Sequence, residues 1–413
     1  MTFDLLTTTE AAQSLGVKPS TVYAYVSRGL LSPIRRPGER ASQFLAHEVE
    51  SLRRGNPRPT TQGLVIDSAI SLVEDGRYWY RGHDAVELAS TGSFEDVADI
   101  LWNEQVPGGW DRDEGAVLTA TLAWAGLPPN ATMLQRIQAI VLSLAATDPL
   151  VSTISAGAVV STGRGALATV AHSLGGAAST PDSGVHEGRI RPNRTPESQE
   201  VDVVPSIATA LAGGLGNYDA APAVDQALGL LADHGLAPST MAVRVAAGFG
   251  ASIYQSILAG LATLSGSLHG GASGATERLF RTALETSPAR ALEETLRVGT
   301  VPGIGQPLYP GGDPRYPAIV TNLRERVGDS RIIGVLDEFE RTCSDRGWGH
   351  PNVDMGLGAL AAAYGFAPGA GEVIFAVGRM AGWIAHATEA ITAERIRPRA
   401  RYVGPEPVAH SGI

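Results

Sequence analysis

Three segments of the 413-residue chain set hydrogen-bonding and titratable side chains among glycines, where a ligand can approach the backbone closely. Ser267-Leu-His269-Gly-Gly-Ala places a histidine against a glycine pair. Gly303-Ile-Gly305-Gln306-Pro-Leu-Tyr-Pro-Gly-Gly-Asp313-Pro-Arg315 is a polar loop with little helical character, and His350-Pro-Asn352-Val-Asp354 leads into a glycine-bearing apolar helix. A histidine and a carboxylate brought together can act as acid and base on a carbon acid. Each cluster alone also reads as a satisfied core or turn motif. Arg379 adds a stronger signal. It interrupts Val373-Ile-Phe-Ala-Val-Gly-Arg379-Met-Ala-Gly-Trp-Ile-Ala, a helix apolar enough to be buried on most faces, and a buried guanidinium needs an anionic partner. A protein carboxylate or a ligand carboxylate fills that role. Arg397 and Arg399 follow in a basic segment that otherwise reads as a solvated tail.

The elements that must position these residues are overwhelmingly helical. Ser93 followed by Asp96 starts a helix to Trp102 on a capping-box pattern, with Val97, Ile100 and Leu101 on one face. The apolar spacing predicts further helices over 133–145, 224–232, 240–264 and 371–391. A short hairpin is predicted from 64–72 and 78–80 around Asp75-Gly76. From Gly175 to Glu200 the chain lacks apolar periodicity and reads as a long surface loop.

Composition removes several chemistries. Lys18 is the only lysine among 32 basic residues, so Schiff-base and P-loop mechanisms lack their lysine in the body. A single cysteine, Cys343, excludes an intramolecular disulfide framework, a CxxC pair and a multi-cysteine zinc site. The amino-terminal segment does not read as a signal peptide and no stretch reads as a membrane span, so the expected location is cytoplasmic, with no membrane partner.

Charge divides the chain in two. Residues 1–60 hold eight basic and five acidic groups, a net of +3, against a total of −10. In this head Thr7-x-x-Glu10 is a capping box, Gly16 permits a turn, and Pro19 suits the first position of a second helix. That helix would present Ser20, Thr21, Tyr23 and Arg28, with Lys18 before it and Arg35, Arg36 and Arg40 in a turn-rich wing. The run LTTTEAAQSLGVKPSTVYAYVSRGLLSPIRR resembles the MerR type of winged helix-turn-helix over about 55 residues. Phosphate contact and groove insertion are the functional reading; packing or assembly is the alternative. The polar, proline-bearing segment 55–63 suits a linker.

Beyond it, YRGHDAVELASTGSFEDVADILW, ADHGLAPST, LHGGA, GIGQPLYPGGDPR, PNVDMGLG and AVGRMAGWIAHATE…RIRPRARYVGP together resemble citrate synthase, across roughly residues 64–405. The resemblance implies a mainly all-α fold, with a large domain over 66–271 and 361–413 and a small domain over 272–360. These follow the head at 1–58 and a linker at 59–65. It also implies an obligate homodimer closing over its substrates. Asp354 matches the base that removes a methyl proton from acetyl-CoA, and His269 the histidine that stabilises the enol(ate). His234, Arg315, Arg379 and Arg397 match residues that hold oxaloacetate, Arg397 from across the dimer interface. No metal or bound cofactor is implied; a CoA ester is the co-substrate. The expected reaction condenses acetyl-CoA or propionyl-CoA with oxaloacetate or a related 2-oxo acid. The chain departs from the family's Gly-Phe-Gly-His pattern at Gln306, which replaces the carbonyl-polarising histidine with an amide that donates a hydrogen bond but cannot be protonated. Gly235, Pro307 and Pro310 are further departures. They keep open an alternative: a DNA-binding regulator whose catalytically weak body senses a CoA ester or a carboxylate.

Overall fold

The computed structural model describes residues 5–27, 31, 42–53, 65–104, 109–110, 112–149, 151, 153, 155–176, 204–266, 269–298, 301–328 and 330–398. The expected linker at 55–63, the basic residues Arg28, Arg35, Arg36 and Arg40, and most of the expected loop at 175–200 lie outside these residues.

The head folds as its pattern predicts. β1 (Leu5–Thr7) leads into α1 (Thr8–Leu15), and Thr7 with Glu10 makes the reciprocal capping box. Gly16, at φ 67°, closes α1 in the left-handed region and turns the chain toward α2 (Pro19–Ser27). β2 (Gln43–Leu45) pairs antiparallel with β1, Leu5 opposite Leu45, and α3 (Ala46–Arg53) follows. Ala11, Ala12, Val22, Leu31, Phe44 and Val49 form a small core. Tyr23 is exposed on α2, and Lys18 is exposed just before it.

The body opens on a hairpin of β3 (Ser71–Glu74) and β4 (Arg77–Tyr80). It turns through Asp75 and Gly76, both at positive φ, which is the two-residue geometry that Asp-Gly favours. The strand begins at Ser71 rather than at residue 64. β5 (His83–Asp84) adds to β4 and passes into α4 (Ala85–Thr91). From there the chain is helical: α5 (Phe94–Trp102), α6 (Glu114–Ala125), α7 (Met133–Thr147), α8 (Ala156–Gly176) and α9 (Ile207–Gly214) come first. They are followed by α10 (Ala221–Leu231), α11 (Pro238–Gly248), α12 (Ile253–Leu264), α13 (Gly271–Glu285) and α14 (Pro288–Val298). The last four are α15 (Arg315–Val327), α16 (Arg331–Arg346), α17 (Val353–Ala363) and α18 (Ala370–Ala390). The capping box predicted at Ser93 and Asp96 forms, and α5 buries Phe94, Val97, Ala98, Leu101 and Trp102. Two further expectations are corrected. Residues 240–264 are two helices, not one: Gly250 takes φ 86°, and Ser252 with Gln255 caps a new helix. Gly175 and Gly176, expected in the loop, complete α8.

Two apolar clusters organise the body. The larger gathers α4 to α12 around α18, whose buried face includes Val373, Ile374, Val377, Met380, Trp383 and Ile384. The smaller joins α13 to α17 through Leu279, Phe280, Tyr316, Val320, Leu336, Phe339 and Met355. Glycine sets how closely α18 and the end of α10 approach. A Cβ on Gly382 would lie 2.4 Å from the Ala232 carbonyl oxygen, and one on Gly378 would lie 2.9 Å from that of Leu228. Between α13 and α18 the Glu277 carboxylate accepts hydrogen bonds from the Gly369 and Gly371 amides at 2.8 and 2.5 Å, satisfying donors exposed at the start of α18. No helix among the described residues is long and apolar enough to cross a membrane.

Candidate active site

Asp354 is placed by the start of α17. Asn352 caps that helix, its Oδ1 accepting from the Asp354 amide at 3.0 Å. The same side chain donates to the Gly305 carbonyl at 2.8 Å, its amide donates to Gly303 O at 2.9 Å, and the Gly305 amide donates to His350 O at 2.8 Å. The 303–306 loop is therefore stitched to the helix that carries Asp354. Gly303 and Gly305 sit at φ 75° and 79°, and a Cβ on Gly303 would lie 2.9 Å from the Met355 amide nitrogen. Ser273, in the first turn of α13, donates to Asp354 Oδ1 at 2.5 Å. Burial raises the Asp354 pKa from its ordinary value, while the Ser273 bond and the Arg315 charge pull the other way.

His269 immediately precedes α13. Gly270, next to it, donates to Leu264 O at 3.0 Å in a turn where a Cβ would lie 2.3 Å from that same oxygen. The His269 ring places Nε2 2.8 Å from the hydroxyl of buried Ser239, in the first turn of α11. Burial and the nearby Arg379 lower its pKa, so the ring is neutral at neutral pH.

Two guanidinium groups lie almost wholly buried beside these residues, Arg315 at 2% exposure and Arg379 at 1%. They differ in their partners. Arg315 is bidentate to Asp313, Nε to Oδ1 at 2.9 Å and Nη2 to Oδ2 at 2.8 Å. Arg379 donates through Nε to Leu231 O at 2.9 Å and lies over Phe375, 4.9 Å from the ring centroid. No carboxylate among the described residues is within ion-pair distance of it. The opposing charge that acts on it most strongly is that of Asp233, which is itself engaged: Ser71 donates to its Oδ2 at 2.5 Å, and His386 Nε2 lies 3.3 Å from its Oδ1. His386 in turn meets Arg244 at 3.0 Å, and Arg244 pairs with Glu389 at 2.5 Å.

His234, next to Asp233, lies half-buried with its Nε2 2.6 Å from the Tyr309 hydroxyl. Burial and the charges of Arg315 and Arg379 hold its pKa well below the ordinary value, so it too is neutral. Gln306 is on the loop that is stitched to α17, its carbonyl accepting from the Tyr309 amide at 2.9 Å. Arg397 is exposed beyond α18 and makes no contact with this cluster within the single chain.

The two buried arginines link these residues electrostatically, Arg315 acting on Asp354 and His234 and Arg379 on His269 and His234, while each side chain is held by its own separate hydrogen bonds; Gln306 is on the adjoining loop. Sequence reading assigned no role to Ser239, Ser273, Tyr309 or the Asp233–His386–Arg244 chain. Serines in first helical turns look like ordinary caps, and nothing in their spacing points across to another helix. Asp313, quoted beside Arg315, takes up the fork expected to face a ligand and leaves Arg315 only Nη1 without a bond among the described residues.

A neutral imidazole, a half-buried carboxylate of raised pKa and a buried guanidinium without a carboxylate counter-ion among the described residues are the groups that acid–base chemistry on an anionic substrate would use. A family model described as citrate synthase, C-terminal domain, matches residues 61–399, and one described as a helix-turn-helix domain matches residues 5–56. The chain belongs to the citrate synthase family. A citrate synthase of Haloferax volcanii is 29% identical over 374 residues, covering 83% of this chain and 94% of that protein. A 2-methylcitrate synthase of Mycobacterium tuberculosis is 27% identical over 368 residues, covering 83% and 90%. The Thermoplasma acidophilum citrate synthase, solved as a ternary complex with carboxymethyl coenzyme A and oxaloacetate, shares the fold at a TM-score of 0.66 and 21% identity, over 85% of this chain and 97% of that one.

Proposed function

We propose that the chain condenses acetyl-CoA or propionyl-CoA with oxaloacetate or a related 2-oxo acid and releases CoA. The observation that carries this reading is Arg379, a buried guanidinium with no carboxylate at ion-pair distance among the described residues, beside Asp354 and His269. A ligand carboxylate completes its charge and hydrogen bonding. Asp354 takes a proton from the carbon next to the thioester while an N–H of His269 donates to the thioester oxygen. The enol(ate) carbon then attacks the ketone carbon of the acceptor, the new C–C bond forming as the C=O π bond opens; the alkoxide so formed takes up one proton, balancing the one Asp354 removed, and water cleaves the thioester to a carboxylic acid and the free CoA thiol. His234, Arg315 and the Gln306 amide bind the acceptor, and Arg397 reaches it from a second copy in a homodimer. Cleft closure between the 272–360 unit and the remainder of the body excludes bulk water.

Thiol release measured with each acyl-CoA and with oxaloacetate, pyruvate and 2-oxoglutarate tests the reading; no release from any combination overturns it. Gln306→His tests the polarising role. A gain in turnover with oxaloacetate identifies the amide as the weakened step, whereas no gain alongside detectable wild-type turnover removes Gln306 from that role.

The helix-turn-helix head supports a second reading, that the body's ligand controls DNA binding. Ligand-responsive binding to DNA of its own promoter region, falling steeply with salt, is the expected result. No binding at low salt defeats it.

A further inference from the structure

The Tyr309 hydroxyl is a buried phenol, and its one hydrogen-bond partner among the described residues is Nε2 of His234, at 2.6 Å. One proton lies between the two atoms, and the surroundings decide who supplies it. If Nε2 carried the proton, the phenol hydrogen would have no acceptor among the described residues, and leaving a buried donor unmade is costly. If the phenol donates, the phenol and Nε2 are satisfied, and the hydrogen left without a protein acceptor is moved to Nδ1, on a ring that is only half-buried and open to a ligand. Burial raises the Tyr309 pKa to about 12, so the hydroxyl keeps its proton to give. A neutral imidazole whose Nε2 accepts must carry its own hydrogen on Nδ1.

Nδ1 of His234 has no protein partner among the described residues. The adjacent carboxylate of Asp233 is engaged elsewhere, by Ser71, the Gly235 amide and His386. Around the ring stand Arg315, Arg379, Asp233, Tyr309 and Tyr78, so the side chains facing it include two buried cations. Tyr309 itself is held in place from three directions. Its amide donates to Gln306 O, its carbonyl accepts from Gly312, and its ring packs 5.9 Å from the Arg315 guanidinium carbon.

We propose that Tyr309 is a positioning residue that locks His234 in the Nδ1–H tautomer, so that the ring offers a neutral N–H donor to an oxygen of the bound 2-oxo acid, between two guanidinium groups. The proposal rests on the synthase reading for the identity of the ligand and on the structure alone for the tautomer. Because Tyr309 comes from the loop before α15 and His234 from the turn after α10, the donor is set only when these two parts of the chain are in contact.

Long-range nitrogen–proton NMR of the full-length, histidine-labelled protein without substrate reads the tautomer directly, with His234→Asn used to identify the signal. The expected wild-type spectrum shows a protonated Nδ1 and an unprotonated Nε2 for His234. Tyr309→Phe should give a mixed or Nε2–H pattern. It should also raise KM for the 2-oxo acid roughly threefold to tenfold, the scale of one neutral hydrogen bond, and leave KM for the acyl-CoA unchanged. An Nε2–H signal in the wild type overturns the proposal, as does an unchanged tautomer in a folded Tyr309→Phe variant. Should that variant not fold, the wild-type spectrum still decides. The spectrum needs no turnover: the expected tautomer without any CoA release defeats the synthase reading alone, and CoA release with the wrong tautomer defeats only the role of Tyr309.

Discussion

At the residue scale the site is governed by which groups hold charge. In the proposed reaction Asp354 would work as a base only when ionised, and burial makes ionisation harder while Ser273 makes it easier. The base form is therefore lost as pH falls through a pKa raised from its ordinary value. Ser273→Ala removes the opposing bond, so the acid limb of the kcat profile should move to higher pH; a pH–rate series checks this, and a shift downward contradicts the assignment. Arg379→Lys keeps the charge but loses the planar fork, and KM for the keto acid should rise about tenfold to a hundredfold, the range expected for bonds to a charged group of about 1.5–3 kcal/mol. Steady-state kinetics with varied acceptor measure it. His269, Asp354, His234 and Arg379 stand out in the sequence because each sits in a motif whose neighbours restrict its setting, and their roles rest on the proposed function. Ser273 and Ser239 were not, because a bond from one helix's first turn to a side chain on another leaves no periodic trace. Arg315 was legible as a site residue, yet its commitment to Asp313 was not, since the sequence places a carboxylate nearby without saying which way it faces.

At the scale of elements, the helices were read from apolar spacing and caps, and the errors share a cause. Residues 240–264 read as one helix because apolar residues continue through the break, and only Gly250 and the Ser252–Gln255 cap mark it. The close seams are equally hidden. Gly358 on α17 faces Thr276 on α13, where an added Cβ would lie 2.8 Å from the threonine Cβ. Those two helices hold Asp354 and Ser273 in register. Gly358→Ala should cost about 1–3 kcal/mol in stability by overpacking, and should lower turnover more than stability alone explains, because it parts the carboxylate from its serine. Denaturant titration of the whole protein gives the first quantity and kinetics well below the unfolding midpoint the second.

At the scale of the molecule, charge and cores separate a small basic head from a large acidic body. The head has its own apolar cluster, and the proposed chemistry uses none of its residues. Removing residues 1–60 should leave kcat for CoA release within about twofold of the full chain, because Asp354, His269 and Arg379 keep all their partners. It should abolish any DNA binding. Parallel turnover and DNA-binding measurements on the full and shortened chains check both halves. The division was visible in the run of charges, whereas the gathering of a site from the starts of α11, α13 and α17 and the middle of α18 was not, since it depends on contacts between segments far apart in sequence.

The grip of Glu277 on the first amides of α18 has a mechanical consequence. Packing of α17 on α18 and of α15 on α10 also joins the two clusters, and the Glu277 contact is a polar fastening beside those apolar ones. Ser273 lies one helical turn from it, about 6 Å along α13 at 1.5 Å per residue. Rotation of the smaller cluster about this fastening would therefore move Ser273 little and distant α16 much. Ser273 rides near the axle, so under the proposed function a wide swing at the rim would admit a bulky thioester while the Ser273–Asp354 bond barely shifts.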